Sequence, residues 1–112
     1  MKRPDTSIEA PTALFAALGD PMRLRLVVRL SRGEPLSITE LASGTKLTRQ
    51  AVTKHLHVLA DAGVATASRF GRQQLWSLDE HRLTQARVFL DRLTQQWDNA
   101  LARLKQAVEE EE

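Results

Sequence analysis

Residues Leu47–Gly63 read L-T-R-Q-A-V-T-K-H-L-H-V-L-A-D-A-G, and the reading of this stretch decides the fold. At helical spacing Val52, Leu56 and Leu59 fall at i, i+4 and i+7, so they make one apolar stripe. Gln50, Thr53, Lys54 and His57 fall on the opposite side, with Arg49 at the leading edge. Thr48 is placed to cap the first turn, because its hydroxyl can accept a backbone N–H that has no partner inside the helix. Gly63 supplies the stop, since glycine enters the left-handed conformation past a helix end without a Cβ clash. The polar face carries donors and positive charge, with no carboxylate before Asp61. A helix in a DNA major groove needs such a face. An ordinary solvated helix also shows one, so the flanking segments have to decide.

Upstream, Ser37-Ile38-Thr39-Glu40 has capping-box spacing and opens a short helix with Ile38, Leu41 and the small Ala42. Gly44-Thr45-Lys46-Leu47 then turns the chain into the quoted stretch. Two short helices joined by a tight turn, the second of them basic, make a helix-turn-helix. Further back, Pro11 is expected to open a helix carrying Leu14, Phe15 and Leu18, ended by Gly19. Asp20-Pro21 restarts the chain as cap and first helical residue. The next helix holds Leu24, Val27, Val28 and Leu30, closes at Gly33, and carries Arg23, Arg25 and Arg29 on its outer surface. Those arginines suit phosphates or plain solvation. Glu34-Pro35-Leu36 is a brief extended link.

Downstream, Val64–Phe70 and Gln73–Leu78 suit short strands, with Gly71 permitting the turn between them. Arg69 and Arg72 flank the tip. Such arginines fit a narrow minor groove, where the negative potential is enhanced; edge charges that prevent aggregation look similar. After a helix-turn-helix, the hairpin reads as a wing. From Asp79-Glu80 onward, Leu83, Ala86, Leu90, Leu93, Trp97, Leu101, Leu104 and Val108 recur at steps of three and four. They form a seam along a helix of roughly 30 residues, about 45 Å at 1.5 Å per residue. Phe89 lies beside it. A domain this small cannot cover that length, so the expected partner is the same helix of a second subunit.

The chain has 112 residues, enough for one core, with ordinary hydrophobic and charged fractions of 42% and 27%. The expected organisation is an N-terminal arm at 1–10, a winged domain with its long last helix at 11–108, and an acidic tail at 109–112. Lys2 and Arg3 give the arm a means of touching DNA, although a frayed terminus is the simpler reading. The net charge is +2, but Lys46, Arg49, Lys54, Arg69 and Arg72 crowd the middle against Asp61 alone. That asymmetry suits a polyanion. The chain has no cysteine, which excludes disulfides and cysteine-based metal sensing. No apolar leader or membrane-length window is present, so a cytoplasmic location is expected. Three scattered histidines without a convergent nucleophile and base offer no reaction centre, and no enzyme is expected.

This order of elements resembles the ArsR family of bacterial winged-helix repressors. The resemblance rests on L-F-A-A-L-G-D-P-M-R-L-R-L-V-V-R-L from Leu14 and I-T-E-L-A from Ile38. It continues in T-R-Q-A-V-T-K-H-L-H-V-L-A-D-A-G-V from Thr48 and R-F-G-R with L-W-S-L from Arg69. It implies a mainly α winged helix-turn-helix with a small β-hairpin, paired as a homodimer through its first and last helices. It also implies recognition helices in successive major grooves of a palindromic operator, and release by a signal. Arsenic sensors of the family carry cysteines where this chain has Ala42 and Gly44. Zinc sensors place D-x-H at the start of the last helix and H-x-x-E eleven residues on. Asp79 and His81 match the first half, but Arg92 and Gln95 replace the second, and two ligands cannot close a tetrahedral site. Asp79 is expected to be a cap and His81 a surface residue, with no metal or other cofactor bound. His55 is expected at the margin of the groove face.

The leading expectation is a metal-independent repressor of a double-stranded DNA operator. Thr48, Arg49, Gln50, Thr53, Lys54, His57, Arg69 and Arg72 would contact DNA. Gln50, Thr53 and His57 would read base edges. Leu14, Phe15, Leu18, Leu83, Ala86, Phe89, Leu90, Leu93 and Trp97 would make the dimer. One alternative adds an organic small-molecule inducer between the first and last helices, near Phe15, Phe89 or Trp97. Another is a protein-interaction module without operator binding, against which the basic middle argues.

Overall fold

The computed structural model describes residues 6–110. The elements run α1 (Thr6–Leu18), α2 (Pro21–Leu30), α3 (Ile38–Ser43), α4 (Arg49–Asp61), β1 (Ala65–Phe70), β2 (Gln73–Leu78) and α5 (Glu80–Glu110). Capping chemistry sets most of the boundaries. The Asp20 carboxylate accepts the backbone N–H groups of Met22 and Arg23 at 2.9 and 3.0 Å, with Pro21 opening α2. Ser37 and Glu40 cap each other's backbone reciprocally, each bond 3.1 Å long. Thr48 Oγ1 accepts from Ala51 N–H at 3.1 Å, and Asp79 Oδ1 accepts from Arg82 N–H at 3.2 Å.

Past the end of α4, Val64 N–H donates to the Leu59 carbonyl and Gly63 N–H to the Ala60 carbonyl, both at 2.9 Å. Gly63 sits at φ 79°, and Leu59 and Val64 are fully buried beside each other in sequence space across the turn. That is a complete Schellman ending with its apolar clasp.

The core gathers Leu14 of α1, Leu26 of α2, Leu41 of α3, Val52, Leu56 and Leu59 of α4, and Val64, with Trp76 closing it from β2. Burying each leucine fully contributes about 1.5–3 kcal/mol. The stripe expected on α4 is therefore the centre of the core. In the wing, Ala65 pairs with Leu78 and Phe70 with Gln73, which leaves a two-residue turn at Gly71-Arg72. Gly71 has φ 62° and, among the described residues, no residue other than glycine has positive φ, so Arg72 does not, the pattern of a type II′ hairpin.

Four expectations are corrected. Helix α1 begins at Thr6, so residues 6–10 of the expected arm are helical and Pro11 lies inside the helix. Pro11 removes only one backbone donor there, whereas proline as a start signal assumes the first position. Lys2 and Arg3 lie outside the described residues. In α2, Leu26, Val27 and Leu30 are buried while Leu24 and Val28 face outward. The expected and observed sets share Val27 and Leu30, and packing against α4 selects Leu26 over Leu24 and Val28. The link at Leu36 is not bare coil: Leu36 and Trp76 exchange two backbone hydrogen bonds of 2.9 and 2.8 Å, adding a third strand segment at the base of the wing. Glu109 and Glu110 of the expected tail form the last turn of α5; Glu111 and Glu112 lie outside the described residues.

Helix α5 has 31 residues and none of them is buried. The described residues span 70 × 40 × 21 Å with a radius of gyration of 19.2 Å. A compact domain of this size has a radius of about 13 Å. The difference is the distal part of α5, which leaves the body.

Candidate nucleic-acid interface

Helix α4 turns Val52, Leu56 and Leu59 into the core, so Arg49, Gln50, Thr53, Lys54 and His57 share the opposite side. Arg49, Gln50, Lys54 and His57 are exposed and Thr53 is half-buried. Thr48 is exposed at the head of the helix. Its oxygen accepts from Ala51, which leaves its own proton free to be donated outward. Thr53 Oγ1 donates to the Arg49 carbonyl at 2.8 Å, so its methyl and oxygen lone pairs are what it presents. The His57 ring stands edge-on to Trp76, centroids 6.0 Å apart at 86°. His57 thereby links the polar face of α4 to the base of the wing. The Trp76 indole Nε1–H is buried without an acceptor among the described residues.

Residues paired across the hairpin point to the same side. Ala67 and Arg69 therefore share a face with Trp76 and Gln74, and Arg69 extends toward the tip the face that Trp76 buries at the base. Arg72 occupies the turn. Arg72 and Arg49 line one cleft together with Ser37, Ile38, Thr39, Glu40, Gln73 and Gln74, the Glu40 carboxylate accepting from the Ser37 N–H of its capping box. The fold thus brings the head of α4 and the wing tip together around two guanidinium groups. Among the described residues, the acid–base contact present is His55 Nδ1 with Asp20 Oδ2 at 3.9 Å, an ion pair when the imidazole is protonated. Glu40 is the carboxylate of this cleft, and among the described residues it forms no ion pair with Arg49 or Arg72; Lys54 and Arg69 are likewise in none. The Asp20 carboxyl is held below its ordinary value of 3.8, mainly by the Arg23 backbone N–H. Partial burial opposes this, while the Met22 N–H and the charges of Arg23 and His55 assist.

Three arginines have structural roles that sequence reasoning missed. Arg82 Nε donates to the Ala62 carbonyl at 2.9 Å and its Nη1 to Gln85 Oε1 at 3.1 Å. It places a cation where the carbonyls of α4 run out of partners, which the helix dipole favours. Arg29 Nη1 donates to the Leu41 carbonyl at 3.1 Å and so fixes the end of α3. Arg23 Nε donates to the Ala17 carbonyl at 2.6 Å. Of the arginines expected on the outer surface of α2, only Arg25 is fully exposed. Capping signals flag helix ends, but nothing local marks which cation crosses to a distant carbonyl.

The Asp79 carboxylate is committed to the cap of α5, and His81 Nε2 lies 3.4 Å from Gln85 Nε2. Among the described residues, no three metal-ligating side chains converge, and no helix is long and apolar enough to cross a membrane. Of the residues expected to pair subunits, Leu14 is 1% exposed and lies in the protomer's own core. Phe15, Leu18, Leu83 and Ala86 pack against that core while remaining partly open, and the half-buried Phe89 stands against Phe15 with ring centroids 6.1 Å apart. Leu90, Leu93 and Trp97 are exposed, Trp97 at 66%.

Residues 18–66 match a helix-turn-helix domain family. The chain is 33% identical over 106 residues to the HTH-type transcriptional regulator Rv2034 of Mycobacterium tuberculosis, covering 95% of each. It is 32% identical over 98 residues to the HTH-type transcriptional repressor SmtB of the same species, covering 88% of this chain and 70% of that one. Among solved structures, an ArsR-like transcriptional regulator from Rhodococcus sp. RHA1 superposes with a TM-score of 0.80 at 30% identity. That match covers 89% of this chain and 93% of the other. A winged helix-turn-helix with a DNA-binding element at α3–α4, and relatives of this likeness across nearly its whole length, lead to one conclusion: the chain belongs to the ArsR family of transcriptional regulators.

Proposed function

We propose that the protein is a dimeric, metal-independent repressor that binds a palindromic DNA operator. In this reading α4 enters the major groove and the wing tip follows the adjacent minor groove. The observation that carries it is the shared cleft of Arg49 and Arg72, adjoined through Arg49 by Thr53 and the exposed Gln50 and Lys54, with none of these cations in an ion pair among the described residues. Gln50 offers a bidentate amide for a base edge, and Thr53 and His57 stand beside it. Arg49 and Lys54 divide between bases and phosphates, Thr48 donates to a phosphate, and Arg69 and Arg72 hold the wing. The half-open aromatic and aliphatic residues of α1 and α5 supply the subunit contact. A structural neighbour from Mycobacterium bovis, 21% identical, is described as homodimeric.

Selection of bound sequences from a random DNA pool tests the reading. A palindrome with half-sites about one helical turn apart, 10–10.5 bp, is expected. On that operator, Arg49→Ala and Arg72→Ala are each expected to weaken binding in gel-shift titrations. Unchanged affinity in both would sink the groove assignment. Chelator and added Zn²⁺ are both expected to leave operator affinity where it was.

A second reading adds an organic inducer. A cleft of about 400 Å³ lies between α1 and α5, lined by Pro11, Leu14, Ala86, Val88 and Phe89, with His81, Arg82 and Arg92 at its polar side. Its composition suits an apolar body with an anionic group. Tryptophan quenching across a panel of such compounds, followed by operator release, tests it; compounds that bind without releasing DNA would exclude an inducer role.

A further inference from the structure

Helix α2 carries an unexplained surface. Leu24 and Val28, one turn apart, face away from the core, and Val28 is 56% exposed. With Pro21 they floor a shallow groove whose rim is Arg25, Arg29 and Arg32. Helix α2 contains no acidic residue, and among the described residues neither Arg25 nor Arg32 has an ion-pair partner. A second oddity lies at the far end of the chain. The distal half of α5 carries Trp97, Leu101, Leu104 and Val108 as an exposed stripe, Leu104 at 61%. It finishes in Glu109 and Glu110, with no basic residue in the last turn. Carboxylates at a helix C-terminus are disfavoured by the helix dipole, so this end is locally unfavourable unless cations meet it from outside.

We infer that the distal half of α5 docks onto the α2 groove of a second copy, its apolar stripe on Leu24 and Val28 and its glutamates against Arg25 and Arg32. The inference rests on the dimer proposed above and adds a surface separate from the α1–α5 seam. The two faces match where the arm ends: the apolar strip of α2 bordered by cations meets Val108 with Glu109 and Glu110, while Arg103 and Lys105 lie one turn earlier on α5. Docking within one chain is ruled out by the helix itself. Helix α5 has neither glycine nor proline from Glu80 to Glu110, so it has no joint at which to fold back. Phe89 is its last aromatic held against α1, and Val108 lies about 28 Å further along at 1.5 Å per residue. Two such arms related by a two-fold axis would clasp each other's α2.

The absence of cysteine from the native chain allows a clean trap. Val28→Cys combined in turn with Leu101→Cys, Leu104→Cys and Val108→Cys is expected to yield an oxidised covalent dimer in at least one pairing. Each single-cysteine variant should stay largely uncrosslinked. Charge reversal gives a second, independent reading. Arg25→Glu with Arg32→Glu should weaken dimerisation about tenfold, as should Glu109→Lys with Glu110→Lys, and the four changes together should restore it. A dimeric wild type in which no mixed pairing crosslinks, or in which Leu104→Cys alone crosslinks fully to its counterpart, overturns this docking and leaves the dimer intact. Failure of the combined reversal to restore affinity also overturns it. A wild type that is monomeric by light scattering overturns the docking and the dimer together.

Discussion

At Gly63 two demands meet in one position. The backbone must take φ 79° to end α4, and a Cβ there would stand 2.9 Å from Arg82 Nε, the group that caps the same helix from α5. Gly63→Ala is therefore expected to cost about 1–2 kcal/mol from the left-handed backbone alone, with loss of the Arg82 contact in addition. Urea denaturation reads the sum, and Arg82→Ala in the same series separates the second part. Asp20 makes a prediction with a pH signature. Because its folded-state carboxyl lies below the ordinary 3.8, the charged form stabilises the fold above that pH, and the contribution disappears as pH falls through the lower folded value. Asn can still cap α2 but cannot carry the charge. Asp20→Asn should thus melt below the wild type at neutral pH, and the gap should close in acid. A gap that widens in acid would mean the charge is not what Asp20 contributes.

The helix-turn-helix and the wing divide their work in a way that binding experiments can separate. Gln50 and its neighbours on α4 face base edges in the proposed complex, whereas Arg72 at the hairpin turn meets backbone and groove shape. Gln50→Ala should cost ~1–3 kcal/mol on the preferred operator and relax preference at the one position it reads. Arg72→Ala should lower affinity by a similar factor on every sequence tested. Competition titrations over an operator library distinguish the two patterns. How far these elements were legible follows from the same division. The stripe Val52, Leu56 and Leu59, the caps at Asp20, Ser37 and Thr48, and the turn at Gly71 obey local rules, and the structure has them where those rules put them. What local rules cannot supply is the identity of a distant partner. The choice of Leu26 over Leu24, the Leu36–Trp76 bridge, and the crossing of Arg82 and Arg29 to remote carbonyls all depend on tertiary neighbours. The candidate site shows the same boundary. Its residues were readable as a face of α4, but the use of the Thr53 hydroxyl within its own helix and the seating of His57 on Trp76 were not.

At the scale of the whole molecule, the second subunit proposed above would cover the exposed seam of α5 along a protomer 70 Å long. Two-fold pairing doubles the charge presented to DNA, and counterion release turns that count into a measurable slope. About 8 phosphate contacts per dimer give a log–log dependence of affinity on salt near −7. Leu90→Glu with Leu93→Glu places charges in the seam, away from α4 and the wing. Such a variant should be monomeric by light scattering while keeping its helical circular dichroism. With half the contacts, its slope should fall to about −3.5. Its operator affinity should fall by far more than the loss of either arginine causes, because one half-site must then bind without its neighbour. The slope is the more discriminating quantity. A folded monomer that still shows about −7 would place all the phosphate contacts in one subunit, and the cleft of Arg49 and Arg72 is too small a group of cations to supply them.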